Sequence, residues 1–249
     1  SVSTVSRIIK TWINLIYIRL GSLKIFPHRD IIIANMTKDY KKKFPTSMII
    51  IDCTELKIES PSSLILKSQT YSNYKSTNTF KCLIGVDSRG SIMYVSHLYT
   101  GSISDKEICV RSGFMDLLKH KLSIGELAPG DAVMADKGFD MAKELDEINM
   151  KLNIPSFLGK RKQLSPDEVA NTQQIAHHRI HIERAIGKVR NFHIFDRQFR
   201  LKSAGIVNQI WTDCCLLSNF QDPIIIKTST TQTPETSTST ETETTSKLM

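Results

Sequence analysis

The chain has 249 residues, 40% hydrophobic and 23% charged, with a formal net charge of +8. This is the composition of a globular protein with one sizeable core, and the basic excess favours a polyanionic partner. A membrane-spanning helix is excluded, because apolar runs such as Met48–Ile51 and Pro223–Ile226 fall far short of the ~20 residues a span requires.

The elements follow in chain order. Val5, Ile8, Ile9, Trp12, Ile13, Ile16 and Leu20 recur at helical spacing and predict an amphipathic helix over 4–20, capped by Ser3 or Thr4. Pro27–Asp30 reads as a turn and 31–43 as a short helical segment ending before Pro45. The apolar run 48–53 predicts a buried strand with Asp52 near its C-terminal end, followed by a polar loop over 60–79. Residues 80–86 and 92–98 predict a hairpin about Ser88-Arg89-Gly90. Helices are expected over 104–112, with Ser104 as cap, and over 114–119. A strand over 131–136 ends on Asp136, and 139–152 reads as helical. Lys160, Arg161 and Lys162 form a basic loop. Ser165-Pro166-Asp167-Glu168 is a capping box opening a long helix to about Phe192, and a last apolar helix covers 206–220. Fourteen of the 23 residues of 227–249 are Ser or Thr, without Val, Ile, Phe, Tyr or Trp. Such a segment buries too little surface to offset ordering entropy and is expected to be disordered. The expected division is a helical segment 1–46, an α/β domain 47–224 and the tail 225–249.

Cys53, Cys82, Cys109, Cys214 and Cys215 form no CxxC pair and are expected as reduced thiols filling the core rather than as a zinc site. The chain begins at Ser1 rather than Met, so a fragment is expected, of which any upstream targeting signal or binding domain would be invisible here.

Three acids stand apart by context. Asp52 follows Ile49-Ile50-Ile51, Asp136 follows Val133-Met134-Ala135, and Glu183 lies mid-helix in Arg179-Ile180-His181-Ile182-Glu183-Arg184. A lone carboxylate at the end of a buried strand is costly, and a hard divalent cation, which takes oxygen ligands, would supply its partner. The same residues also read more plainly: a strand-end Asp as turn former or cap, and Glu183 as an ion-pair partner one turn from Arg179. Other residues carry two readings as well. Asp105 is either a helix-start cap or an acid lying behind the metal ligands. Tyr71, Tyr74 and Lys75 either clamp a nucleic-acid strand or stabilise a loop through buried tyrosines. Glu55 is expected to be solvated. His177 and His181 have the i, i+4 spacing of metal ligands but lack a third member, and they read equally as surface or core-edge histidines along with His178.

Five stretches in order carry a resemblance: Ile50-Ile51-Asp52-Cys53-Thr54-Glu55, Gln69-Thr70-Tyr71-Ser72-Asn73-Tyr74-Lys75, Gly101-Ser102-Ile103-Ser104-Asp105-Lys106, Ala135-Asp136-Lys137-Gly138-Phe139 and Arg179-Ile180-His181-Ile182-Glu183-Arg184. From about residue 12 to 224 the chain resembles the DDE endonuclease domain of PIF/Harbinger-type transposases and their domesticated relatives. The likeness extends to animal proteins in which that domain follows a THAP-type zinc finger. The resemblance implies an RNase H-like α/β fold, a mixed sheet flanked by helices. It also implies a metal-dependent nuclease cutting DNA phosphodiesters, with possible strand transfer. Asp52, Asp136 and Glu183 would be the catalytic acids holding two Mg²⁺ or Mn²⁺ ions, with Asp105 behind them. DNA contacts are expected from Tyr71, Tyr74, Lys75, Lys137, Lys160, Arg161, Lys162, Arg184, Lys188 and Arg190. A separate or upstream DNA-recognition domain, homo-oligomerisation, nuclear residence and no membrane association complete the implied picture. The alternative is a domesticated, catalytically silent DNA-binding or complex-assembly protein of the same fold.

Overall fold

In the computed structural model, the structure describes residues 1–159 and 161–225. The expected disordered tail beyond residue 225, and Lys160 of the basic loop, lie outside the described residues.

Three helices come first: α1 (Val2–Gly21), α2 (Arg29–Asn35) and α3 (Lys38–Lys43). Strand β1 (Ser47–Lys57) leads to α4 (Leu64–Thr70), β2 (Tyr71–Ser72), β3 (Thr77–Val86), β4 (Ile92–Val95) and β5 (Tyr99–Thr100). Then come α5 (Asp105–Arg111), α6 (Phe114–Ser123), β6 (Ala132–Met134), α7 (Ala142–Asp146) and β7 (Lys151–Asn153). Helix α8 (Pro166–Arg190) and, after two short 3₁₀ turns, α9 (Ala204–Ser218) complete the chain.

The strands form one curled mixed sheet in the order β2-β3-β1-β6-β7, with β4 and β5 also paired to β3. β1 and β3 are antiparallel, with Asp52 opposite Ile84. β1, β6 and β7 run parallel, with Ile50 beside Met134 and Met134 beside Asn153. This is the RNase H-like α/β arrangement expected. Met48 to Ile51 are buried on both faces, as a central strand covered by helices requires. α8 packs on β1 and β3, and α9 packs on α8, β4 and α1. Trp211 of α9 and Ile182 and Val189 of α8 belong to the same core as Ile49, Ile50 and Leu83.

Several elements differ from expectation. β1 runs on to Lys57, so Asp52 lies mid-strand rather than at its end. Its continuation Cys53-Thr54-Glu55 looks polar, but Thr54 is buried and Glu55 accepts a hydrogen bond from Thr79 Oγ1 at 2.9 Å, so Glu55 is not simply solvated. The expected loop over 60–79 holds α4, β2 and the start of β3. Asn78 stabilises it by donating to Lys67 O and Thr70 Oγ1, links a local pattern does not reveal. Residues 92–98 divide between β4 and an irregular stretch before β5. The helix expected over 139–152 is only the five residues of α7; Asn149, at φ +57, then turns the chain into β7. β6 stops at Met134, leaving Asp136 in the loop beyond it. The segment 31–43 is two helices, because Thr37 caps α3 by accepting from Tyr40 N.

The period of α1 is helical, as read, but its cap is Ser1 and none of its residues is buried. Val5, Ile8, Ile9 and Trp12 are exposed, and Ile13 packs against the core. The rest of the N-terminal segment is better anchored. Ile32, Met36, Tyr40 and Phe44 join the core cluster. Arg29 Nε lies 3.0 and 2.9 Å from the two oxygens of buried Asp131, and Ala128 N donates to the same carboxylate. All five cysteines are free; four are buried and Cys53 is half-buried, as core thiols should be. No helix among the described residues is long and apolar enough to cross a membrane.

Removing Arg29 leaves the Asp131 charge buried with only a backbone partner. Arg29→Ala should therefore lower stability by about 1–3 kcal/mol. Urea unfolding followed by circular dichroism checks this, and an unchanged midpoint would show that the contact contributes nothing.

Candidate active site

One cleft of about 600 Å³ gathers Asp52, Asp136 and Glu183 together with Asp105. Each arrives on a different element. Asp52 comes from the middle of β1, Asp136 from the loop after β6, Asp105 from the first turn of α5, and Glu183 from α8. Parallel pairing of β1 with β6 sets the first two side by side at the sheet. Two residues of the motif stretches keep the walls close. A Cβ on Gly138 would lie 2.9 Å from Asp105 Oδ2, and one on Gly101 would lie 2.1 Å from Thr79 Oγ1. At Gly101 a Cβ would also meet backbone Thr70 O at 2.6 Å, so only glycine fits there, whereas at Gly138 the Asp105 carboxylate would have to shift.

Arg179 links the acids. Its guanidinium lies 3.1 Å from Asp136 Oδ1 and 3.8 Å from Asp52 Oδ2. Glu183, one turn further along the same face of α8, lines the cleft but forms no salt bridge with Arg179 or any other described residue, so the simple ion-pair reading of Glu183 does not hold. Asp52 accepts from Cys53 N at 2.9 Å, and its side chain is 22% exposed. Burial pushes the Asp52 carboxyl up to about 6. Arg179 and the Cys53 N–H oppose that rise, while the charges of Asp105 and Asp136 add to it.

Asp105 is not the cap of α5; Ser104 is, accepting from Glu107 N. The Asp105 carboxylate faces Lys81 Nζ at 2.6 Å. Burial works against the Lys81 charge, but Asp105 outweighs it and holds the ammonium's pKa above its ordinary value. Lys81 also donates to Ile103 O, which ties β3 to the turn preceding α5.

The residues expected to touch nucleic acid divide. Tyr74 and Lys75 line the cleft, with Lys75 Nζ 4.4 Å from the Tyr74 ring centre; Tyr74 is 84% exposed, so it is no buried loop anchor. Arg190 lines the cleft too, donating to Thr54 Oγ1 and Glu55 O. Tyr71 lies outside the cleft lining on β2, paired with Asn78, and exposed Lys137, Lys162 and Arg184 do not line it either. Arg161 is engaged with Glu168 at 2.8 and 2.9 Å. Lys188 donates to Ser218 O and Asp222 O beyond the end of α9. Arg179 and Lys81 are the cleft residues that sequence reasoning missed. From sequence Arg179 reads only as a partner of Glu183, although spacing of four places both on one helix face. Lys81 was legible as a lone cation within the apolar run Phe80 to Val86.

The donor set suits a hard divalent ion, since it offers carboxylate oxygens in a half-buried cleft. A cation already stands between two of them, in the form of the Arg179 guanidinium. Among the described residues, however, the cluster tight enough for three side chains to share one ion is Asp39, His177 and His178, with ligand atoms within 4.8 Å of one another. The cleft acids are more widely spread than that.

A family model described as "DDE superfamily endonuclease" matches residues 51–219. No curated protein and no solved structure matches the chain.

The raised Asp52 pKa has a consequence for stability. The folded state binds the Asp52 proton more tightly than the unfolded state, so stability from this group is full below about pH 4 and declines as pH rises through about 6. The decline is on the order of 2–3 kcal/mol. Buried Asp213, also pushed up to about 6 by burial, acts in the same window. Melting temperature measured from pH 4 to 7 on wild type and Asp52→Asn should show the variant losing part of that decline. Parallel curves would mean that Asp52 ionises freely.

Proposed function

The chain belongs to the DDE superfamily endonucleases, and we propose from this that its acidic cleft cuts DNA phosphodiester bonds, with Asp52, Asp136 and Glu183 as the catalytic, metal-holding acids and Asp105 supporting them. The observation that carries the reading is the convergence on one cleft of Asp52, Asp105, Asp136 and Glu183 from four separate elements, with Glu55 of β1 beside them. So many acids at one place are costly without cations, and the cleft balances them with Arg179 and Lys81.

Bound to these acids as a pair, Mg²⁺ or Mn²⁺ would supply Lewis acidity toward the attacking water or 3′-hydroxyl and the leaving oxygen. The chain's own residues supply the rest. Asp52, half-buried and held by Cys53 N–H, offers a fixed carboxylate. Lys81 orients Asp105. Lys75 and Tyr74 stand at the cleft wall, where an ammonium can pair with a backbone phosphate and an exposed ring can stack on a base. Arg190 braces β1 against α8 through Thr54 and Glu55.

Within the family, the five ordered motifs favour the PIF/Harbinger type, associated in animal proteins with a THAP-type zinc finger. On this reading a separate or upstream domain supplies sequence-specific recognition, the chain acts as an oligomer in the nucleus, and strand transfer accompanies cleavage. One observation favours the alternative of a silent DNA-binding relative: the Arg179 guanidinium already stands between Asp52 and Asp136.

Nicking of supercoiled plasmid separates the two readings. With Mg²⁺ or Mn²⁺ the wild type should nick DNA, and Asp136→Ala should lose about 100-fold or more of that activity. A protein that binds DNA yet never cuts it with either ion is the silent relative, and one that prefers RNA in competition points to a different nucleic-acid substrate. Lys75→Ala should weaken DNA binding about equally across sequences and reduce the slope of log K against log salt by about 1. An unchanged slope places Lys75 away from the phosphates.

A further inference from the structure

We propose that Asp39, His177 and His178 form a second metal site that takes a zinc-type transition ion and is distinct from the acidic cleft. The ligand atoms of the three lie within 4.8 Å of one another, although Asp39 is on α3 and the histidines are on α8. The sequence pairs His177 with His181 at i, i+4 spacing; the structure instead groups His177 with His178, leaves His181 out, and adds Asp39 from a helix 138 positions away in the chain.

The independent observation is the state of His178. Its ring is 1% exposed, yet neither nitrogen has a hydrogen-bond partner. Nε2 points toward Asp39 Oδ2 at 3.4 Å without a directed hydrogen bond. Tyr40 and Phe44 pack edge-on against the ring, at 5.0 and 5.6 Å between centres, and hold it in place. Buried imidazole nitrogens normally find a partner, and a bound ion would be one. His177, exposed and 5.1 Å from His178 between ring centres, can swing to complete the set.

The chemistry selects the ion. Two imidazoles and one carboxylate are a zinc ligand set, with a fourth position left for water, whereas Mg²⁺ prefers oxygen throughout. Lys43, 3.2 Å from Asp39, is the competing cation that a metal would displace. Such an ion would tie α3 to the helix that carries Arg179 and Glu183, so its effect is positional rather than chemical. On the helix, His177 and His178 lie on a different flank from Glu183.

The test uses Zn²⁺ alone, on protein first stripped with chelator. To remove the cleft as a competing site, a background variant carries Asp52→Asn, Asp136→Asn and Glu183→Gln. In that background Zn²⁺ should bind with a stoichiometry of one by calorimetry. At a hundredfold excess over its Kd it should raise the melting temperature by roughly 5–10 °C, whereas Mg²⁺ should not. His177→Ala and Asp39→Asn, both at exposed positions, should fold with an unchanged circular dichroism spectrum and lose the shift. Absence of stoichiometric Zn²⁺ binding in the background variant, or a shift that survives both substitutions, overturns the proposal. Failure of DNA nicking would leave this result unaffected, because neither ligand histidine belongs to the cleft.

Discussion

A carboxylate in the strand at the centre of the sheet is the constraint from which the rest of the architecture follows. Up to Ile51 the strand β1 is apolar on both faces and covered on both. The next side chain is Asp52, and the strand does not end there. Burying a charge in that position is unfavourable unless cations and donors surround it. The fold answers with the Cys53 N–H from within the strand and Arg179 from the helix packed across it. The placement of α8 over β1 is thus an electrostatic requirement as much as a hydrophobic one. Ile182 and Val189 face the core from the same helix that turns Arg179 and Glu183 toward the acids.

Net charge misleads about the local field. The chain carries +8 overall, yet the acidic cleft is lined by five carboxylates, those of Asp52, Glu55, Asp105, Asp136 and Glu183. Positive charge that reaches the cleft is either committed to those acids, as with Arg179 and Lys81, or stands at the wall, as with Lys75. Much of the remaining basic sequence is engaged elsewhere: Arg161 with Glu168, Lys188 with the end of α9 and Arg29 with Asp131. For a polyanionic substrate this means that a few placed cations outweigh a general basic character.

How much was legible in the sequence depended on range. Strong local patterns were read correctly: the capping box and length of α8, the apolar α9, the buried start of β1 and the strand before Asp136. The grouping of Asp52, Asp136, Glu183 and Asp105 in one cleft agrees with the ordered motifs that singled those residues out. What the sequence hid was governed by distant contacts. β7 is a three-residue edge strand with little apolar signal, held by pairing to β6. Asn78 and Thr70 stabilise a helix within a segment that looks like loop. Sequence likewise does not show where a cation finds its carboxylate or carbonyl, as Arg161 does at Glu168 and Lys188 at Ser218 O. The same range effect hid the grouping of His177 with His178 and Asp39, where local spacing pairs His177 with His181.

Helix α8 is one rigid rod of 25 residues, and functional groups occupy its opposite flanks. A residue added to or removed from an α-helix rotates everything beyond it by about 100° and shifts it by about 1.5 Å. Between His178 and Glu183 such a change would swing Glu183 out of the cleft while leaving the histidines in place, even though the local sequence remained an excellent helix. Variation in length should therefore be tolerated in the stretch between β7 and Ser165 and forbidden within the rod. The spacing from Arg179 to Glu183 is a dimension of the molecule, as fixed as a bond length on the scale of the cleft.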